Sequence, residues 1–103
     1  MSDHRLDTEA FFALIEQKVA RDLRLTPMQA AIIAALELGI AGDSRTFSRL
    51  LGFAHALVLR ELTALAERGD TLRIVAREER TLRTHYEPIG EPMPVRPAAT
   101  FKR

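Results

Sequence analysis

Residues 51–69 read LGFAHALVLRELTALAERG. Glycines stand one residue inside its start and at its end, and both positions suit the left-handed turn that closes a helix. The helix between them runs from about Ala54 to Arg68. Val58, Leu62 and Leu65 share one stripe and are expected to face a core. Leu57 and Leu59 lie on either side of that stripe, about 200° apart at roughly 100° per residue. They cannot both be central core residues, and neither side chain can form a hydrogen bond. Whether this helix shows an outer face to a partner or is only a core element decides how the rest of the chain is read.

Working upstream, DSRTFSRLLG carries a short helix. Asp43 or Ser44 can cap it, Phe47, Leu50 and Leu51 are its apolar residues, and Gly52 ends it. Before it, LTPMQAAIIAALELGIAG opens with a clear start signal. Thr26 is the cap, Pro27 takes the first helical position, and Gln29 completes a Thr-x-x-Gln box. Ile32, Ile33, Leu36 and Ile40 form its apolar face, and Gly42 fits a stop. Earlier still, DTEAFFALIEQKVARDLR predicts a helix capped by Asp7. Phe12, Ile15, Val19 and Leu23 follow helical spacing, and Phe11 and Leu14 widen the stripe. Residues 1–6 are expected to be frayed.

Downstream of Gly69 the period drops to two. TLRIVAR and TLRTHYEPI alternate and are rich in strand-forming types, with a loop at EERT between them. Pro88 ends the second strand. Pro92, Pro94 and Pro97 make residues 91–103 an expected flexible tail. The order is three helices behind a leading one, then a hairpin. The expected fold is therefore mainly α with a small β-hairpin, a winged helix-turn-helix domain over residues 7–90.

At this point the residues resemble a known group. LTPMQAAIIAAL is similar to the Leu-Thr-x-x-Gln opening of the multiple-antibiotic-resistance regulator (MarR) family. FSRLLGFAHALVLRELTALAERG resembles that family's helix-turn-helix, and RTLRTHYEPI its return strand in the wing. The likeness covers roughly residues 25–89. It implies double-stranded DNA as partner and a transcriptional regulator as function. The family's long C-terminal dimer helices have no counterpart in the proline-rich tail. A homodimer would then use the first helix, with Phe11, Phe12, Ile15 and Val19 at the interface.

The candidate DNA-binding residues follow from chemistry and place. Arg60 can form two bonds with guanine, and His55 is polar near the start of the same helix. Arg45 and Arg49 on the preceding helix can clamp phosphate. Arg77, Arg80 and Arg83 on the wing can hold the backbone or enter a minor groove. Plainer roles compete. Arg60 can pair with Glu61 or Glu67, and the other arginines can be solvated surface. An outward-pointing Leu57 or Leu59 could pack under the wing, touch a thymine methyl, or dock a protein partner. That last possibility supports an alternative function, a protein–protein interaction module binding another regulator or a polymerase component. A small-molecule sensor with a pocket between the first helix and the motif is a third class.

Composition bounds these readings without choosing among them. The 103 residues carry a formal net charge of +1, which does not announce nucleic acid. From Ser44 to His85, however, eight arginines face five acids. Arginine suits bidentate contact with phosphate and guanine. Cysteine is absent, which excludes disulfides and thiolate zinc sites and fits a reducing, cytoplasmic setting. His4, His55 and His85 lack ligand spacing, so no metal is expected. Neither a cofactor loop nor a nucleophile motif is present, so no enzyme and no cofactor are expected. No run is long and apolar enough for a membrane.

Overall fold

The computed structural model describes residues 2–89, with side chains from Thr8 onward; the predicted tail at 91–103 lies outside the described residues. Four helices precede one hairpin: α1 (Ser2–Arg21), α2 (Pro27–Glu37), α3 (Ser44–Leu51), α4 (His55–Arg68), β1 (Leu72–Arg77) and β2 (Thr84–Pro88). The domain is mainly helical with a small antiparallel sheet.

α1 begins at Ser2, not after Asp7. No proline or glycine interrupts residues 2–7, so the helix runs through the segment expected to fray, and Asp7 lies within the helix instead of capping it. The predicted aromatic pair splits. Phe11 is buried in the chain's own core, while Phe12 is 56% exposed. Ile15 and Val19 are half-buried against the same core.

α2 is the centre of the domain. Its start is the predicted capping box: the Gln29 amide donates to Thr26 Oγ1 at 3.0 Å, and Gln29 Oε1 accepts from the Thr26 amide at 3.2 Å. Residues Gln29 to Ala35 are all buried. A short helix that is apolar all round must be enclosed, and α1, α4 and β2 all pack on it. Its end comes earlier than expected. Gly39 takes φ 73°, its amide bonds the Leu36 carbonyl, and the Ile40 amide bonds the Ala35 carbonyl at 2.8 Å. This pair of reversed bonds is a Schellman cap. Gly39, not Gly42, is the stop, and Ile40 extends the apolar period beyond the helix because it folds back onto the core.

Residues 41–43 are then free to run along the hairpin. Asp43 bridges His85, and the Tyr86 amide donates to the Gly42 carbonyl at 3.2 Å. Asp43 also caps α3, accepting from the Thr46 amide at 2.9 Å and the Thr46 hydroxyl at 2.7 Å. One residue thus ties the sheet to the start of α3.

The hairpin departs from simple alternation. Ile74 pairs with Tyr86 but Ala76 pairs with His85, so Val75 is an inserted bulge residue. Beyond it the alternation shifts by one, and Val75 and Ala76 are both exposed. The second strand starts at Thr84, two residues after Leu82, which was expected to be within it. Leu82 instead sits in the loop with φ 61°. The loop is closed by the Glu78 amide on the Arg83 carbonyl at 2.9 Å and the Leu82 amide on the Glu78 carbonyl at 2.7 Å. A side chain in the left-handed region costs about 1–2 kcal/mol relative to the right-handed one, and Leu82 is 48% exposed, so its packing returns little. Leu82→Gly is expected to raise stability by about 1 kcal/mol, read as a higher denaturation midpoint with an unchanged denaturant slope.

The core gathers Phe11, the α2 alanines and isoleucines, Phe47, the α4 stripe Val58, Leu62 and Leu65, then Leu72 and Tyr86. At the far end of α4, Arg68 bonds Asp22 at 2.6 Å and Asp70 at 3.0 Å. This pins the last turn of α4 to the α1–α2 connection, with a cation where the helix dipole favours it.

Candidate nucleic-acid interface

The site is built on the α3–α4 corner. Gly52 takes φ 77° and its amide bonds the Ser48 carbonyl at 2.9 Å. The Ser48 hydroxyl then donates to the Phe53 carbonyl at 2.5 Å, and the Phe53 ring stacks on Phe47, with centroids 6.4 Å apart. Phe47 itself is fully buried. The corner is therefore fixed by backbone, hydroxyl and ring contacts together.

α4 then displays three faces. Val58, Leu62 and Leu65 are buried. Leu57 and Leu59 flank them and both are half-buried, so neither is the outward leucine expected from the sequence. The outer face is Ala56, Arg60, Thr63, Ala64 and Glu67, all exposed. Ala56 and Thr63, which were not among the expected contact residues, share this face with Arg60. Spacing alone would have found them, since i, i+4 and i+7 fall on one helix face.

A polar seam joins this corner to the hairpin. The Thr84 amide donates to Ser44 Oγ at 2.9 Å, and Ser44 Oγ lies 2.8 Å from His55 Nε2. Ser44 is fully buried. Its hydroxyl proton therefore needs an acceptor, and the neutral Nε2 of His55 is that acceptor. Burial pushes the His55 pKa below its usual 6.5, helped by the positive charges of Arg45 and Arg83 and opposed by Asp43. Beside it, Arg83 Nη1 meets Asp43 Oδ2 at 2.9 Å. Burial raises the Asp43 carboxyl, but the Thr46 amide and hydroxyl and the Arg83 charge together hold it below 3.8. Arg45 donates to the Thr81 carbonyl through Nε and Nη2 at 3.1 and 2.8 Å. Arg77 Nε donates to Thr84 Oγ1 at 3.1 Å.

The seven predicted contact residues thus separate. Arg45 and Arg83 hold the hairpin against the corner, His55 joins α4 to α3 through Ser44, and Arg77 bonds across the hairpin to Thr84. His55 is half-buried, with Nε2 turned toward Ser44. Arg49, Arg60 and Arg80 are exposed and have no hydrogen bond or ion pair among the described residues. The plainer alternative for Arg60, a pair with Glu61 or Glu67, is not formed. Glu61 instead accepts from the Thr26 hydroxyl at 3.1 Å.

Of the predicted dimer set, only Phe12 is exposed in the monomer; Phe11 is committed to the core. Near it a groove of about 390 Å³ is lined by Thr8, Phe11, Leu38, Gly39, Ile40, Leu50 and Leu51. It lies between α1, the end of α2 and the end of α3, where a sensor pocket was considered. Among the described residues no cluster of three acidic or histidine side chains could hold a metal ion, and no helix is long and apolar enough to cross a membrane. Compared with known protein families, curated proteins and solved structures, the chain matches none.

Proposed function

We propose that this chain is a small winged helix-turn-helix regulator of transcription that binds double-stranded DNA in the cytoplasm. In this reading α3 and α4 are the helix-turn-helix and the hairpin is the wing. α4 enters the major groove, and Arg80 at the wing tip meets the backbone or the minor groove. The chain acts as a homodimer, with Phe12 on α1 the apolar anchor still available at its surface. Its role is non-catalytic.

The observation that carries the reading is the division of the cations. Arg45, Arg77 and Arg83 are spent on bonds within the domain, while Arg49, Arg60 and Arg80 have no partner among the described residues. A rigid frame with unpaired guanidinium groups on α3, α4 and the wing suits a polyanionic duplex. The competing module, which would dock protein through Leu57 or Leu59, is weakened because both leucines are half-buried.

Binding of the full chain to fluorescent genomic duplex fragments, at 50 and 200 mM salt, tests the proposal. Affinity is expected to fall by roughly a factor of 10³ between the two if a dimer meets about six phosphates. Absence of binding at the lower salt would reject DNA as the partner.

A further inference from the structure

We propose that the half-site read by α4 is a guanine with thymines within about two base pairs on either side, contacted by Arg60, Ala56 and Thr63. This inference rests on the DNA-binding reading above and sharpens it from duplex DNA in general to a base pattern.

Arg60 supplies the guanine. Its guanidinium is exposed and unpaired among the described residues, and a free planar fork matches the O6 and N7 acceptors of guanine in the major groove. Nothing else on the outer face of α4 competes for that role. The helix has no asparagine or glutamine to grip adenine in bidentate fashion, His55 is turned inward to Ser44, and Arg68 is held by Asp22 and Asp70. Arg60 is therefore the single bidentate reader on α4.

Its neighbours supply the thymines. Ala56 and Thr63 lie one turn before Arg60 and just under one turn after it on the same exposed face. Along the helix axis these offsets are about 6 Å and 4.5 Å at 1.5 Å per residue. Stacked base pairs are roughly 3.4 Å apart, so each neighbour reaches one or two steps from the guanine. The Ala56 methyl can make only an apolar contact, and the thymine C5 methyl is the apolar group the major groove offers. Thr63 adds a second methyl, with a hydroxyl beside it. At the far end of the same face, Glu67 is exposed with no ion pair among the described residues. Its charge repels phosphate, which confines reading to the part of the helix up to Thr63.

Selection of bound duplexes from a randomised library with the full chain, followed by single-atom probes, tests this. The expected consensus holds an invariant guanine with flanking thymines. Replacing that guanine by 7-deazaguanine, or Arg60 by alanine, is expected to lower affinity roughly tenfold to a hundredfold. The two changes together should cost little more than either alone. Uracil in place of a flanking thymine removes one methyl and should cost about fourfold. Thr63→Ser and Ala56→Gly should each lose that sensitivity at one flank only. Circular dichroism melts check that the Arg60→Ala protein is folded. A bound consensus without guanine, or a guanine preference that persists in Arg60→Ala, would overturn the assignment while leaving DNA binding intact. No enriched duplex at low salt would overturn both.

Discussion

Ser44→Ala is expected to destabilise the domain by about 2–3 kcal/mol, although it removes one oxygen atom. Ser44 is fully buried and stands between two groups from distant parts of the chain, the Thr84 amide and His55 Nε2. Its loss leaves the amide with no acceptor at that position, and a buried unsatisfied donor costs about 1–3 kcal/mol. His55 is only half-buried, so water can reach it and its share is smaller. Against a total stability of about 5–15 kcal/mol this is a large fraction. Chemical denaturation of Ser44→Ala, His55→Gln and the double variant measures it. The double variant should be less destabilised than the sum of the singles, because the two residues share one bond. Strict additivity would show that the Ser44–His55 contact contributes nothing.

Burial of the same histidine, beside Arg45 and Arg83, sets a pH dependence. The His55 pKa is lowered by folding from 6.5. The unfolded chain therefore takes up a proton at a higher pH than the folded one. The stabilising difference is fully present above 6.5 and is lost as pH falls through 6.5 toward the folded value. In His55→Gln this sloping window should flatten. Asp22, Asp43 and Glu78 are lowered from 3.8, 3.8 and 4.5. Their contributions are held above those values and lost as pH falls below them, so they act in a separate, more acid window.

What was legible in the chain was local. Thr26, Pro27 and Gln29 announce a helix start because all three act within one turn. Gly52 and Gly69 announce ends because a left-handed residue is needed there. What was not legible depended on partners far away in sequence. His55 looked like a surface reader because Ser44, eleven residues away, and the Thr84 amide, forty from Ser44, meet only after the chain has folded. Phe11 and Phe12 are adjacent on one helix, and only the placement of α2 decides which of them is buried. The Val75 bulge and the left-handed Leu82 carry no signal in residue type, since valine is an ordinary strand residue and leucine an unusual choice for that turn. Ala56 and Thr63 drew no notice because their side chains are plain, although the spacing that puts them on the exposed face of α4 with Arg60 was visible.

The arginines give the sharpest separation of roles. Arg49→Ala, Arg60→Ala and Arg80→Ala combined should leave the melting temperature nearly unchanged, because none of the three has a partner among the described residues. The same variant should make the logarithmic salt dependence of DNA binding shallower by roughly 0.9 for each lost phosphate contact. Arg83→Ala should behave in the opposite way. It strips Asp43 of its ion pair at 2.9 Å and leaves a largely covered carboxylate at the junction of α3 and the sheet. The domain then melts at lower temperature, while folded Arg83→Ala protein at low temperature keeps the native salt dependence. Melting curves and salt titrations on both variants separate the two effects. If Arg83→Ala lost salt-dependent binding without losing stability, or the triple variant lost stability without losing binding, the division into framing and contacting arginines would be reversed. The direction of the difference follows from geometry. A guanidinium already bonded to Asp43 must break that bond before it can meet a phosphate, whereas Arg49, Arg60 and Arg80 give up only water.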